Sequence, residues 1–420
     1  MTHSPDPITQ TVQSNLCTGC GVCAGRFPEL IRMVDDVTNG RRPIVAQTEA
    51  GLNAANQAIN LCAGAGADHA SLPAKDETDR DWGPVLKIWE GWAADEEIRH
   101  RGSSGGAVTA LGLALIEAGE ADGVAHVAQR DDDPRLNRSV ISKSREDMLR
   151  GAGSRYAQAS PGERLAEIAA TPGRFAFIGK PCDVASVRKA ANQDEYLDDK
   201  IAVTIGIFCA GAPTLAATEA LLDRLSVPKG AALTDLRYRG NGWPGTMQAT
   251  WRDADGSLQK SDAISYGEGW GQVLQAGRKW RCSICADHTG EFADISVGDP
   301  WHNPPKGNTD PGRSLIVART ERGVRIIEAA IANGTLIAEP RDRDLIAKAQ
   351  PNLLDTRGSV FGRRLAMHLT GMPVPKDTGL NSFDLWKSHL SLKRKAQSVA
   401  GSLKRIVRRR LWRAVDITPV

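Results

Sequence analysis

The chain of 420 residues is 41% hydrophobic and 25% charged, which is typical of a folded globular protein and excludes collagen-like or disordered classes. The first residues lack the basic start and apolar core of a signal peptide, and no apolar run is long enough to span a membrane, so we expect a cytoplasmic protein. The net charge of +3 is uneven: residues 381–420 hold ten Lys or Arg against two Asp, so they carry +8 and the rest carries −5.

Strand and helix patterns alternate after a polar, turn-rich linker at residues 71–84. Strands are predicted at 84–93, 121–129, 174–179, 201–208, 293–298 and 314–320. Helices are predicted at 105–119, with Val108, Leu111, Leu115 and Ala118 on one side, and within 180–190 and 209–225. This alternation predicts an α/β core with parallel strands, in which ligands collect beyond the carboxyl ends of the strands. Cys182 and Cys209 each follow a predicted strand.

Three cysteines stand close together near the N-terminus, Cys17, Cys20 and Cys23. The C-x2-C-x2-C spacing favours an iron-sulfur cluster over a zinc ribbon, which normally uses cysteine pairs. Phe27 occupies the position where a ferredoxin would place a fourth cysteine. We therefore expect the fourth ligand to be remote, and Cys62 is the nearest candidate.

The remaining cysteines are Cys182, Cys209, Cys282 and Cys285. If their loops converge at one sheet edge, they form a second four-thiolate site, and eight cysteines then make two clusters. The alternatives are buried, inert thiols at Cys182 and Cys209, or paired zinc sites.

A glycine-rich segment precedes the helix predicted at 105–119. Ser103, Ser104, Gly105 and Gly106 lie at its start, where free backbone N–H groups and the helix dipole suit a phosphate. The alternative is an ordinary N-cap in which Ser103 or Ser104 closes the helix. Lys180 is placed to stabilise an anionic reduced flavin, or else is a solvated loop lysine. His288 is a candidate proton donor, and His126 is interpreted as a core histidine.

The ordered motifs of residues 15–345 resemble the beta subunits of hydrogenases and dehydrogenases that use the deazaflavin coenzyme (factor 420). Relatives of that family include 7-hydroxymethyl chlorophyll a reductase and the ferredoxin-dependent divinyl chlorophyllide 8-vinyl reductase. The motifs are CTGCGVC, CAGAGAD, RGSSGGAVTALGLALIEAGEADGVAHV, SRYAQASP, FIGKPCDVASVRK, IGIFCAGAP, YRGNGWPG and WRCSICADHTGEFADISVGDPW.

The resemblance implies FAD, two 4Fe-4S clusters held by the eight cysteines, and flavin contacts by Ser154, Arg155 and Tyr156. It implies a mixed α/β fold with four parts: a ferredoxin-like iron-sulfur segment at 1–75, family domains at 82–165 and 166–345, and a weakly patterned segment with a basic amphipathic tail at 346–420. The glycine-rich flavin loop belongs to the domain at 82–165, and the second cysteine group belongs to the domain at 166–345.

The expected function is that of an iron-sulfur flavoprotein oxidoreductase. It would pass electrons between a ferredoxin-like carrier or a reduced deazaflavin and a small or sugar-linked organic substrate, with a bacterial surface-polysaccharide pathway as one setting. The alternatives are an electron-input beta subunit of a larger complex and a non-catalytic zinc-binding module. Residues 385–413 predict a basic helix that contacts a membrane surface or an acidic partner. No nucleic-acid partner is expected, because no groove-reading module accompanies the basic run.

Overall fold

A computed structural model describes residues 5–36, 38–72, 78–307 and 310–419. The predicted linker at 71–84 lies partly outside the described residues, at 73–77. The helices are α1 (Pro7–Gln13), α2 (Val22–Arg26), α3 (Glu49–Ala58), α4 (Glu96–Arg101), α5 (Ala107–Glu117), α6 (Arg145–Arg150), α7 (Leu165–Ala170), α8 (Pro181–Ala191), α9 (Glu195–Lys200), α10 (Leu215–Arg224), α11 (Trp280–Ser283), α12 (Glu321–Ala332), α13 (Leu345–Ala349), α14 (Leu353–Leu369) and α15 (Leu392–Arg409). The strands are β1 (Ile31–Val34), β2 (Arg42–Val45), β3 (Thr78–Asp79), β4 (Gly83–Pro84), β5 (Lys87–Ala93), β6 (Gly123–Gln129), β7 (Asn137–Ser142), β8 (Phe175–Gly179), β9 (Ile201–Ile207), β10 (Ala232–Arg237), β11 (Thr246–Arg252), β12 (Leu258–Lys260), β13 (Ile264–Ser265), β14 (Ile295–Gly298), β15 (Ser314–Ala318) and β16 (Leu336–Arg341).

An eight-stranded sheet forms the centre of the molecule, in the order β16-β5-β15-β14-β9-β8-β6-β7. The four inner strands β14, β9, β8 and β6 run parallel, and the outer strands are antiparallel to their neighbours. The predicted α/β class with a parallel core is confirmed. The cysteines that follow β8 and β9 therefore lie at the same edge of the sheet.

Helices cover both faces of this sheet. On one face α5 and α12 pack on apolar strand residues, and on the other face α8 and α7 do so. The helix predicted at 105–119 is observed as α5, and more of it is buried than the four residues predicted on one side. It is buried almost continuously from Ala107 to Leu115, because it packs on the sheet beside α12, whereas Ala118 is exposed beyond its end.

The N-terminal segment is a small unit with its own apolar core. Helices α1, α2 and α3 pack around the hairpin of β1 and β2. Asp6 begins α1, since its carboxylate accepts hydrogen bonds from the N–H groups of Ile8 and Thr9 at 3.0 and 2.9 Å. Val22 and Leu61 join the core around α8, which fixes the first cysteines against the main domain.

A second, smaller sheet of β10, β11, β12 and β13 lies beside the main one. Its core with α10 contains Tyr238, Met247 and Trp270. Tyr156 packs against this core, so the smaller sheet forms one wall of the cavity described below.

The C-terminal segment differs from a free amphipathic tail. Within the segment interpreted as weakly patterned, residues 353–369 form α14, and α15 packs along it. Val399, Leu403 and Ile406 of α15 pack in a core with Leu16 and Trp280. Part of the apolar side that the membrane hypothesis for residues 385–413 required is therefore covered by the protein, whereas Leu392 and Val407 remain 83% and 60% exposed. Among the described residues, no helix combines the length and apolarity needed to cross a bilayer.

Candidate functional site

The first four cysteines line one small cavity. Cys17 and Cys20 precede α2, Cys23 lies within it, and Cys62 follows a short 3-10 turn. Gly21 has φ +82°, and a Cβ there would lie 2.8 Å from Ser160 Cβ. Glycine therefore permits the tight turn between Cys20 and Cys23. Cys62, which we predicted as the remote partner of Cys17, Cys20 and Cys23, therefore lies next to them.

Burial raises the pKa of the Cys20, Cys23 and Cys62 thiols. Burial, with Cys20, Cys17 and Cys62 adding to it, holds the pKa of Cys23 well above its usual value. Burial, with Cys20 and Cys17 adding to it, raises the pKa of Cys62 to about 12. The four groups thus interact with one another in a low-dielectric setting.

The second four cysteines are also brought together. Cys182 stands in the first turn of α8, Cys209 follows β9, and Cys282 and Cys285 belong to α11 and the loop after it. Burial and then Asp183 raise the pKa of Cys182, with Cys209 and Cys285 among the further causes. Burial and then Cys282 raise the pKa of Cys209 to about 12. The backbone N–H of Ala212 donates to Cys282 Sγ at 3.3 Å, which ties the two loops together.

Two buried basic side chains lie between the cysteine groups. The Nζ of Lys279 lies 3.5 Å from Thr18 O, and Lys279 interacts electrostatically with both Cys17 and Cys282. Arg281 donates to the carbonyl oxygen of Ala63, the residue after Cys62, at 2.8 Å. The two groups are therefore neighbours.

No three His, Cys, Asp or Glu side chains among the described residues converge closely enough to hold a single metal ion. A zinc ion would need its four sulfurs to lie about 2.3 Å from one centre. The thiolates of an iron-sulfur cube stand on opposite sides of a larger body. Buried donors without a partner occur in the cysteine-bearing segments, at Thr18 Oγ1, Trp280 Nε1 and Arg281 Nε. They suit hydrogen bonds to cluster sulfurs, so the residues present fit such a group.

A cavity of about 330 Å³ adjoins the second cysteine group. The predicted site residues that line it are Ser103, Ser104, Gly106, Ser154, Arg155, Tyr156, Lys180, Cys209 and His288. Segments distant in sequence are thus brought to one space at the carboxyl ends of β8, β9 and β14. Gly105 does not line the cavity, but it packs against Arg313 behind the loop.

The glycine-rich loop is held in a defined shape at the start of α5. Gly105 and Gly106 have φ +71° and +72°, and a Cβ on Gly106 would lie 2.5 Å from Ile98 O. The Ser103 hydroxyl accepts a hydrogen bond from the N–H of Ser154, and the Ser104 hydroxyl lies 3.3 Å from that of Ser314. No side chain caps α5, so its first N–H groups remain available to a bound anion. The N-cap alternative for Ser103 and Ser104 is therefore not supported.

Lys180 and His288 line the cavity beside Cys209. Lys180 Nζ donates to the buried carboxylate of Asp183 at 2.6 Å. Burial opposes its charge, but Asp183 and then Cys182 raise the pKa of Lys180 above its ordinary value. Lys180 is therefore a half-buried, charged lysine that is paired with a buried carboxylate, and not a solvated loop lysine.

The imidazole of His288 has one ring nitrogen without a partner. Its Nδ1 donates to the carbonyl oxygen of Cys209 at 2.8 Å, while Nε2 is buried and makes no hydrogen bond. Burial lowers the pKa of His288 to about 4. The neutral ring thus presents Nε2 as an acceptor, which fits ligand binding better than proton donation.

Arg155 and Tyr156 have different roles in the wall. The Arg155 guanidinium donates to the oxygens of Asn137, Gln129, Leu236 and Pro134, at 2.6 to 2.9 Å, so its donors are used by the protein. Tyr156 stacks against Trp270 with a centroid distance of 4.6 Å. Arg155 therefore positions the loop that carries Ser154 and Tyr156.

The wall of the cavity contains an ion pair that the sequence patterns did not predict. Arg239 donates twice to the carboxylate of Asp299, at 2.9 and 2.8 Å, and to the carbonyl oxygens of Pro244 and Ser103 at 2.9 and 2.6 Å. Burial opposes the charge, but Asp299 raises the pKa of Arg239. Arg239 lies within the YRGNGWPG motif and Asp299 within VGDPW, so the motifs signalled the region without revealing the pairing.

Aromatic rings were also missed as cavity residues. Tyr266, Trp270 and Trp301 line the cavity, and Tyr266 stacks on Trp301 with centroids 5.6 Å apart and planes 22° apart. Such rings suit the faces of a planar ligand. Trp270 and Tyr266 come from a segment of irregular helix that shows no clear period in the sequence.

His126 is the core histidine that the sequence predicted. It is 6% exposed, its Nε2 lies 2.7 Å from the Ser142 hydroxyl, and its Nδ1 lies 3.2 Å from Val127 O. Burial lowers its pKa to about 4. Both ring nitrogens are satisfied by the protein.

The folded core and the cysteine-lined site together define a class of redox protein. Two family models, for the N-terminal and the C-terminal parts of the coenzyme F420 hydrogenase/dehydrogenase beta subunit, match residues 88–166 and 173–344 respectively. These ranges cover well over half of the chain. The chain belongs to the coenzyme F420 hydrogenase/dehydrogenase beta subunit family.

Relatives with curated descriptions come from methanogens. The chain is 26% identical over 257 residues to the coenzyme F420 hydrogenase subunit beta of Methanosarcina barkeri, covering 59% of this chain and 79% of the relative. It is 26% identical over 298 residues to the corresponding protein of Methanococcus voltae, covering 67% and 95%. A chain in the solved F420-reducing [NiFe] hydrogenase complex of Methanosarcina barkeri shares the fold, with a TM-score of 0.52 and 23% identity over 68% of this chain and 95% of that one. These relatives are subunits of oxidoreductase complexes.

Proposed function

We propose that this chain is an iron-sulfur flavoprotein subunit that exchanges two electrons with a deazaflavin coenzyme and passes them singly to a partner protein. The proposal rests on the observation that the two cysteine groups and the cavity lie next to one another. Cys17, Cys20, Cys23 and Cys62 adjoin Cys182, Cys209, Cys282 and Cys285 through Lys279 and Arg281, and Cys209 also lines the cavity.

The cavity offers groups that suit FAD. The uncapped start of α5 and the loop of Ser103, Ser104, Gly105 and Gly106 would hold the pyrophosphate through backbone N–H groups. The rings of Tyr156, Tyr266 and Trp301 would flank the isoalloxazine or the incoming coenzyme. When bound, FAD supplies the conversion between two-electron and one-electron transfer.

The chain's own residues set the electrostatics of that cavity. The charged Lys180 stabilises negative charge that develops on a ligand, because it lines the cavity and is held in place by Asp183. The unpaired Nε2 of His288 accepts a hydrogen bond from a ligand N–H and orients it. The eight thiolates would hold two 4Fe-4S clusters.

The relatives' names favour an electron-input beta subunit over a free-standing reductase of a sugar-linked substrate. Anaerobic purification with quantitation of iron, sulfide and flavin tests the proposal, and we expect about eight iron atoms and about one flavin per chain. Adding reduced deazaflavin coenzyme should bleach the visible flavin band. Zinc in place of iron, or the absence of flavin, would contradict the proposal.

A further inference from the structure

Five arginines form a surface group next to the second cysteine group, and we call it the arginine patch. Arg278 precedes α11, Arg363 lies on α14, and Arg405, Arg408 and Arg409 lie on α15. Arg408 and Arg409 are exposed, whereas the other three are half-buried. Three separate parts of the chain thus contribute charge to one place.

The charges of the arginine patch are not compensated by carboxylates. None of its five members forms an ion pair within the part of the chain that the structure describes. Burial, Arg405 and Arg278 lower the pKa of Arg363 to about 10. By contrast Arg394, on the same helix, pairs with Asp355 at 2.9 Å. The positive charges of the patch therefore repel one another, and a bound anionic partner would reduce this repulsion.

The patch is connected to the cysteine loops by direct contacts. Arg278 donates to the carbonyl oxygen of Ala210, next to Cys209, and interacts electrostatically with Cys282. Arg363 donates to the carbonyl oxygen of Ser283, the residue after Cys282. A molecule bound on the patch would lie against the backbone of the loops that carry these cysteines.

We propose that the arginine patch is the docking surface for an acidic one-electron carrier protein that exchanges electrons with the second cysteine group. The proposal rests on the proposed function, since it requires a redox centre at that group. In each encounter one electron leaves one centre and enters the other, and no bond forms or breaks. The position of the patch favours a carrier protein over a lipid surface, because the patch surrounds the loops of the expected redox centre.

The test uses the full-length holoprotein and an acidic bacterial ferredoxin as probe. The variant R408E/R409E reverses two exposed charges of the patch. The matched control R252E/K260E makes the same change in net charge at two exposed cations of the smaller sheet that form no ion pair among the described residues. Binding is measured by calorimetry, and electron transfer by stopped-flow absorbance at several ionic strengths.

We expect the patch variant to weaken binding and slow second-order electron transfer by about tenfold or more, with a flatter dependence on ionic strength. The control should change both quantities by less than about twofold.

Equal effects of the two variants would overturn the proposal. It would also be overturned if the ferredoxin failed to bind a wild-type protein that contains iron and flavin and is reduced by the deazaflavin coenzyme. Patch-dependent sedimentation with anionic phosphatidylglycerol vesicles, without ferredoxin binding, would assign the surface to lipid instead. A protein lacking iron or flavin would instead defeat the proposed function.

Discussion

Replacing Asp299 by alanine should destabilise the protein and loosen the cavity. The Arg239 guanidinium is 3% exposed and Asp299 is 19% exposed, so water compensates little for a lost partner. The change removes two charged hydrogen bonds and the acceptor for Trp243 Nε1, which lies 2.8 Å from Asp299 Oδ1. Breaking a buried pair by removing one partner costs about 3–5 kcal/mol.

The loss should reach the glycine-rich loop, because Arg239 also donates to Ser103 O. We therefore expect the free energy of unfolding in urea, followed by tryptophan fluorescence, to fall by about 3–5 kcal/mol, with loss of flavin on gel filtration. Glu120→Ala is the control, since it breaks the exposed pair with Arg325 and should cost at most about 1 kcal/mol. Equal destabilisation by the two variants, or full flavin retention in D299A, would refute the reasoning.

Three further predictions concern the metal groups, the cavity and a core histidine. Cys62→Ala should roughly halve the iron content, because it removes one ligand of the first group, and unchanged iron would exclude Cys62 as a ligand. Lys180→Met leaves the buried Asp183 unpaired and should slow flavin reduction by the deazaflavin coenzyme by about 10- to 100-fold, with partial rescue by Lys180→Arg. His126 contributes a pH dependence: its pKa is lowered to about 4, so the unfolded chain, with a pKa of about 6.5, takes up the proton first. Stability that is present above pH ~6.5 is then lost as the pH falls toward ~4, by about 2 kcal/mol from pH ~7 to ~5, and His126→Gln should flatten this slope in urea unfolding curves.

Local patterns were sufficient to predict six of the eight strands of the main sheet, whereas β7 and β16 were not predicted. The strands at β6, β8, β9 and β14 are short apolar runs followed by turns, and these local features identify them without tertiary information. Since parallel strands end at one edge, the positions of Cys182 and Cys209 followed from the same pattern.

The pairing of Arg239 with Asp299 could not be predicted in this way. The two residues are 60 positions apart in the chain, and nothing in their neighbours specifies that the smaller sheet packs beside the main one. The C-terminal helix shows the same limit. Its spacing indicated an amphipathic helix, but the sequence alone did not reveal that Ile406 packs on Trp280 in this protein and not on a membrane.

A buried lysine, Lys279, lies between the two cysteine groups. Lys279 is buried, and no carboxylate pairs with it among the described residues, so burial and the nearby Arg42 hold the pKa of its amine well below the ordinary value. Its cysteine neighbours are Cys17 of the first group and Cys282 of the second. Thiolates that bind iron would place negative charge beside this lysine and favour its charged form. We therefore expect metal binding and the packing of the cysteine loops to be coupled, because the charges that would hold a cluster would also compensate the lysine between the two groups.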